Sequence, residues 1–346
     1  MTAEPDGLCF PFAEPPLPGE MTEVAPGILW ARLPLPFSLD HVNVFLLEDG
    51  DGWALIDTGI KSRTAQRAWE TLLSGKLQGR RLTRIIVTHF HPDHIGLAGW
   101  LAERFDAPVL TSQTTYLECR NISTSPGALD ATVYWDFYRR HGLDEATTAL
   151  LTTSGHFYLK MVAPLPPTFG RLVEGETLHI GGRRFDVLVG NGHAPEMLML
   201  HCAEEKLLLA ADQVLAKISP NVSVAAVDPQ GDPLGLFLGT LELLRKRLPA
   251  ETFVLPGHQL PFHGLHERIS QLAAHHAGRC DLLVQACREA PRAPADLLPV
   301  MFRRALDPHQ MGFAFSELLA HVNFLLRRGA LVWGETVDGV CRVQAA

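Results

Sequence analysis

The run His89-Phe90-His91-Pro92-Asp93-His94 places four side chains able to hold a divalent metal within six positions. Imidazole and carboxylate groups suit zinc, iron or manganese. Four such ligands this close exceed what one tetrahedral ion takes from a short loop. The run therefore implies two ions, or one ion whose ligands are supported by further residues. It follows directly on Arg84-Ile85-Ile86-Val87-Thr88, a β-branched stretch that reads as a strand. Pro92 lacks an N–H and biases His91 away from helical geometry, so His89 and His91 are expected on a loop at the strand's end. A helix over Ile95–Ala102 would then fix the directions of Asp93 and His94.

Further ligand types follow other strand-like runs. Gly192-His193 comes after Arg184–Val189, Asp212 after Lys206–Ala211, and Gly257-His258 after Phe253–Pro256, while Trp53–Ile56 leads into Asp57-Thr58-Gly59. With these elements the chain resembles the metallo-β-lactamase-fold hydrolase superfamily, whose signature is H-x-H-x-D-H; the likeness spans about residues 25 to 265. The resemblance implies one metal on His89, His91 and His193, a second on Asp93, His94 and His258, and Asp212 bridging them. Asp57 would accept a ring N–H from a ligand histidine and fix its tautomer. The implied cofactors are two divalent ions, zinc foremost, with iron and manganese as alternatives. Ions about 3.5 to 4 Å apart can share a water and lower its pKa. The implied activity is hydrolysis of an ester, thioester or lactone by a metal-bridging hydroxide, with Asp93 as the catalytic residue that orients it and accepts its proton. His91 stands where flavodiiron relatives carry glutamate, which argues for hydrolysis over oxygen or nitric oxide reduction. One departure is Ala194-Pro195-Glu196-Met197, where many relatives have serine or threonine, proline, glycine and histidine.

The implied fold is α/β, a four-layer αββα sandwich with ligands along one edge. Its strands are expected at 28–35, 42–49, 52–57, 84–88, 177–180, 183–189, 197–202, 206–211 and 253–255, with helices at 62–74 and 233–247. Asp49-Gly50-Asp51-Gly52 and Gly181-Gly182 read as hairpin turns. This catalytic domain covers 1–265. Residues 1–27, rich in proline and acid, are expected as an irregular arm, and 113–170 as a helical insertion that forms a lid over the site. Phe90 in the metal loop and Tyr116, Tyr134, Trp135 and Tyr138 in the insertion are the expected substrate contacts, since aromatic rings can wall a pocket.

Residues 266–346 differ in texture. Helices at 266–290, 295–306 and 315–328 followed by a hairpin over 330–335 and 339–343 suggest a winged-helix-like domain, similar to one appended in a subset of the superfamily that includes an endoribonuclease. That likeness raises two rival functions, a metal-dependent phosphodiesterase acting on RNA and a non-catalytic nucleic-acid-binding or regulatory protein. The presence of all seven expected ligands argues against a non-catalytic role, and charge argues against nucleic acid. The 346-residue chain carries a net −8, and residues 267–346 hold nine arginines, no lysine and eight acidic residues, whereas a reader of nucleic acid shows a clearer basic face. A structural role or homodimerisation suits the tail better, and a small-molecule acyl compound is the expected partner. The six cysteines are scattered without a C-x-x-C spacing, the N-terminus lacks a signal-like apolar stretch, and no run nears the roughly 20 apolar residues of a membrane span. The expectation is a cytoplasmic protein that does not engage membranes.

Overall fold

A computed structural model describes residues 7–125, 132–152, 155–303 and 305–346. Strands β1 (Thr22–Ala25), β2 (Ile28–Pro34), β3 (His41–Asp49) and β4 (Gly52–Ile56) divide their apolar side chains with the period of two that a pleated strand imposes. Leu29, Ala31 and Leu33 of β2, Val42, Val44 and Leu46 of β3, and Leu55 of β4 pack in one buried cluster with Trp69 and Leu72 of helix α1 (Arg63–Ser74). Their alternates Ile28, Trp30, Phe45, Leu47, Ala54 and Ile56 join a second cluster with Phe185, Val187, Leu198, Leu200, Leu209 and Leu255. That second cluster fills the space between two sheets.

The first sheet runs β1-β2-β3-β4-β5-β6-β7, where β5 is Arg81–Ile86, β6 Val109–Thr111 and β7 Gly170–Arg171. The second runs β13-β12-β11-β10-β9-β8, from β8 (Thr177–Ile180), β9 (Arg183–Gly190), β10 (Met197–Cys202), β11 (Leu207–Ala211), β12 (Phe253–Pro256) and β13 (Phe262–His263). Every residue of β10 and β11 is buried, which explains why these two read as continuous apolar runs and not as alternating ones. Two parallel pairings set the site. Ile56 of β4 lies beside Ile86 of β5, and Ala211 of β11 beside Pro256 of β12. The residues that follow each pair, Asp57 with Thr88 and Asp212 with His258, therefore leave their sheets side by side.

The structure corrects two expectations in this half. The arm over 1–27, whose first six residues lie outside the described ones, is not wholly irregular: Thr22–Ala25 adds a strand to the first sheet, with Thr22 opposite Trp30. The single helix expected over 95–102 is two pieces, α2 (Pro92–Ile95) and α3 (Ala98–Phe105). Pro92 opens α2 at the position where its missing N–H costs nothing, so helix begins inside the metal loop. The break falls at Gly96, where a Cβ would stand 2.3 Å from Pro92 O and 2.7 Å from Gly59 O. Strands β6, β7 and β13 were not foreseen because two or three residues carry no periodicity.

By compactness the chain divides into one unit of 1–124, 157–220 and 243–268 and another of 125–156, 221–242 and 269–346. The described helices after α3 are α4 (Gln113–Thr124), α5 (Thr132–Arg140), α6 (Glu145–Thr152), α7 (Gly155–Met161), α8 (Pro233–Arg247), α9 (Leu265–Glu289), α10 (Leu298–Met301) and α11 (Pro308–Arg327), with a 3-10 turn at Pro294–Leu297. The expected helix over 295–306 is thus much shorter, ending at Met301. The last helix begins seven residues earlier than expected, because Asp307 accepts from Gln310 N at 2.8 Å and Gln310 reaches back to Asp307 N, a capping box. Strands β14 (Leu331–Val337) and β15 (Val340–Ala345) pair about Asp338-Gly339, both at positive φ, as a two-residue hairpin turn requires. Among the described residues no helix is long and apolar enough to cross a membrane.

Within the second unit His276 is fully buried. Its Nδ1 lies 3.1 Å from Nε2 of His321, whose own Nδ1 donates to Glu317 O at 2.8 Å. Burial, then the neighbouring His321, pushes His276 down to about 3, and burial pushes His321 down to about 4. Both stay neutral in the folded chain while the unfolded chain protonates near the ordinary 6.5, so the folded state loses stability as pH falls below 6.5. His276→Gln is expected to flatten the dependence of unfolding free energy on pH between 6 and 4 by up to one proton, about 1.4 kcal/mol per pH unit. Chemical denaturation at several pH values measures the slope; equal slopes in both proteins would refute this.

Candidate metal centre

Each ligand candidate follows the end of a strand, directly or, for Asp93 and His94, on the short helix α2. Among the described residues seven non-glycine positions have positive φ, and four of them, Asp57, Glu196, Ala211 and Gln259, lie in or beside the segments that carry the cluster. Left-handed backbone at such residues costs free energy, and it persists where surrounding contacts over-determine it. Gly257 is equally constrained, since a Cβ there would lie 2.2 Å from Asp212 Oδ1 and 2.9 Å from His94 Cε1. The second sheet reaches the loop directly, with Leu198 N donating to Thr88 O at 2.8 Å.

Hydrogen bonds fix which nitrogen His94, His89 and His258 turn inward. Asp57 accepts from Thr88 N at 2.8 Å, from Thr88 Oγ1 at 2.9 Å and from His94 Nδ1 at 2.8 Å. His94 thereby presents Nε2. Because the Thr88 hydroxyl spends its proton on Asp57, it must accept from His89 Nδ1, 3.0 Å away, and His89 too presents Nε2. His258 donates Nδ1–H to His41 O at 2.7 Å and presents Nε2. His91 is turned the other way, its Nδ1 3.0 Å from His89 Nε2.

All seven sequence candidates converge. Ligand atoms of His89, His91 and His193 lie within 4.8 Å of one another, as do those of Asp93, His94 and His258, and those of His89, His94 and Asp212. Asp212 Oδ2 is 3.4 Å from His193 Nε2, 3.5 Å from His94 Nε2 and 3.2 Å from His258 Nε2, so it faces members of both groups. The donor set fits divalent cations on a direct observation: His94 Nε2 and Asp212 Oδ1 are buried with no hydrogen-bond partner. Buried polar atoms of this kind call for an explanation, and a cation held between them supplies one.

The electrostatics divide the histidines. Burial, with the charges of neighbouring histidines, holds His89 well below its ordinary value and His91 at about 3. For His258 burial acts in the same direction, but Asp212 and Asp93 outweigh it and raise the group to about 10; Asp212, Asp57 and Asp93 likewise raise His94. Asp93 and Asp212 are both held below the carboxylate range, since the positive His94 and His258 more than offset their burial.

The expected substrate contacts fare unevenly. Phe90 is half-buried beside the cluster, its ring 5.0 Å from that of His91, and its carbonyl accepts from Tyr158 Oη at 2.7 Å. Tyr116, expected at the substrate, is instead a core residue: it stacks on Phe169 at 4.1 Å and its hydroxyl donates to Pro166 O. Tyr134, Trp135 and Tyr138 all lie on α5 in the second unit, where Tyr138 packs 6.1 Å from Phe315. Glu196, the departure from the family pattern, receives Thr114 N and Thr114 Oγ1 on its carboxylate, tying the His193 loop to α4. Sequence reasoning missed Thr88, His41 and Asn43. The one signal was Asn43, a polar residue inside the apolar run Val42–Leu47.

A family model described as the metallo-beta-lactamase superfamily matches residues 38–258. The chain belongs to that superfamily. A model described as a metallo-beta-lactamase-like C-terminal domain matches residues 280–346. The probable metallo-hydrolase YqjP of Bacillus subtilis is 23% identical over 325 residues, covering 90% of this chain and 96% of that protein. A beta-lactamase domain protein from Burkholderia ambifaria superposes with a TM-score of 0.90 at 40% identity, covering 98% of both chains. A metallo-beta-lactamase family protein from Thermus thermophilus gives 0.80 at 30% identity, covering 94% of this chain and all of that one. This superfamily member is therefore a metal-dependent hydrolase of mixed α/β fold.

The proton that Asp212 and Asp93 favour on His258 competes with a cation for the same lone pair. Cation uptake at pH 7 is thus expected to release at least one proton and to strengthen as pH rises through neutrality. Calorimetric titration with zinc in buffers of different ionisation enthalpy reads this release; an enthalpy independent of buffer would contradict the assignment of His258.

Proposed function

We propose that this hydrolase cleaves an ester, thioester or lactone of a small acyl compound, using two divalent cations, zinc foremost, on the His89–His91–His193 and Asp93–His94–His258 groups. The observation that carries the reading is Asp212, one carboxylate oxygen within 3.2 to 3.5 Å of imidazoles from both groups, as a shared ligand between two cations would be. When bound, such a pair supplies Lewis acidity and a water activated near neutral pH.

The chain's own residues then divide the work. Asp57 and His41 O hold His94 and His258 in the tautomer that turns Nε2 inward. Asp93 is the most open of the three carboxylates, its side chain 20% exposed against 4% for Asp57 and 6% for Asp212. It is therefore the group best placed to take a proton from the nucleophile and pass it to solvent. Phe90 offers an apolar wall beside His91, which suits an acyl chain better than a phosphate. The net charge of −9 over the first 266 residues argues in the same direction against RNA.

Two further parts of the reading rest on composition. All six cysteines are free, which supports a reducing cytoplasmic setting. The helices and terminal hairpin of the second unit support a winged-helix-like module, and the near balance of charge over 267–346 favours a structural role over nucleic-acid binding.

The test is to purify the protein, count its metals, and assay aryl esters, thioesters, lactones and short RNA. Acyl hydrolysis is expected, with Asp212→Ala and His91→Ala each losing more than the roughly 100-fold that removal of a mere supporting partner costs. Cleavage of RNA alone would overturn the substrate class. Unchanged metal content and turnover in both variants would overturn the site.

A further inference from the structure

Strand β3 holds the segment carrying His258 from behind. Asn43 is 1% exposed, flanked by the fully buried Val42 and Val44. An amide so placed is costly unless its hydrogen-bonding capacity is used, and here its Nδ2 is used on one segment. Asn43 Nδ2 donates to Pro256 O and to Gln259 O, both at 2.9 Å, and so spans the two residues between them, Gly257 and His258. Its backbone N–H donates to Gly257 O at 2.7 Å. Its Oδ1 accepts from Arg32 Nε at 3.3 Å, and Arg32 Nη2 donates to Gln259 O at 2.8 Å.

His41 completes the arrangement. Its carbonyl accepts the His258 Nδ1 proton at 2.7 Å, its Nε2 accepts Gln259 N–H at 2.9 Å, and its Nδ1 is held by Asp40 at 2.7 Å. Gln259 needs such restraint, since its backbone is left-handed at φ 70°. In the first group His89 is oriented instead by Thr88, on the segment that follows β5.

We propose that Asn43, with Arg32 and His41, is a positioning set that fixes His258 and thereby governs occupancy of the Asp93–His94–His258 cation position, leaving the His89–His91–His193 position intact. The inference rests on the two-cation reading above. It assigns Asn43 a role that packing does not explain, because an apolar residue at this point of the strand would fill the core without desolvating an amide.

The experiment measures stoichiometry and stepwise zinc affinity by chelator competition, with cobalt as the spectroscopic probe, in the full-length chain and in Asn43→Ala, Asn43→Asp and Arg32→Met. Replacing Nδ2 by an oxygen in Asn43→Asp sets a carboxylate against two carbonyl oxygens. Both Asn43 variants are expected to weaken one cation step about 10- to 100-fold, the cost of losing a partner behind a ligand, with the other step within about twofold. Arg32→Met should act in the same direction with smaller effect, and serves if the Asn43 variants fail to fold. In a His258→Ala background the Asn43→Ala change should cost nothing further, an outcome that a general loss of stability would not produce. Equal weakening of both steps, or native affinities with only a lower melting temperature, would overturn the inference. If the unaltered protein binds fewer than two cations, the two-cation reading itself fails.

Discussion

A buried carboxylate that stays ionised has to be surrounded by groups that compensate it, and Asp212 imposes that demand on the whole first unit. Its side chain is almost completely enclosed, and its oxygen looks onto imidazoles of His94, His193 and His258. Those three residues arrive from three separate stretches of chain. Two sheets, the parallel register of β4 with β5 and of β11 with β12, and the tight glycine at 257 are what bring them within reach. The apolar clusters on either side of the first sheet supply the rigidity that holds such a crowd of polar groups in place.

Orientation is as much a part of the design as proximity. An imidazole can offer either nitrogen, and the choice is made by whatever the other nitrogen touches. Asp57, Thr88 and His41 make that choice for His94, His89 and His258. The left-handed backbone at Asp57, Ala211 and Gln259 shows the same priority from the side of the main chain: locally unfavourable conformations are tolerated where they aim a side chain inward.

Much of this was legible in the sequence, for identifiable reasons. The strands expected from 28 to 57 and from 177 to 211 appear within a residue or two because alternation, apolar runs and Gly-containing turns are local signals. The clustering of His89 to His94 with His193, Asp212 and His258 followed from the resemblance to a family pattern. What escaped depends on distance in the chain. Asn43 is tied to Pro256 and Gln259 more than 200 positions away, and nothing near Asn43 announces that partner. Tyr116 looked available for a ligand, yet Phe169 and Pro166 take both its ring face and its hydroxyl. The burial of His276 was equally hidden, because its partner His321 sits on another helix.

The order in which ligands leave the two sheets has a mechanical meaning. His89, His91, Asp93 and His94 follow β5 of the first sheet, whereas His193, Asp212 and His258 follow β9, β11 and β12 of the second. Each proposed ion would therefore be gripped by both layers at once and act as a staple across the sandwich. An ion that binds only the folded chain adds stability by mass action, about 2.7 kcal/mol at a free concentration one hundred times its dissociation constant. The centre that performs the chemistry would then also be a joint of the scaffold, and scarcity of metal would loosen the protein as well as silence it.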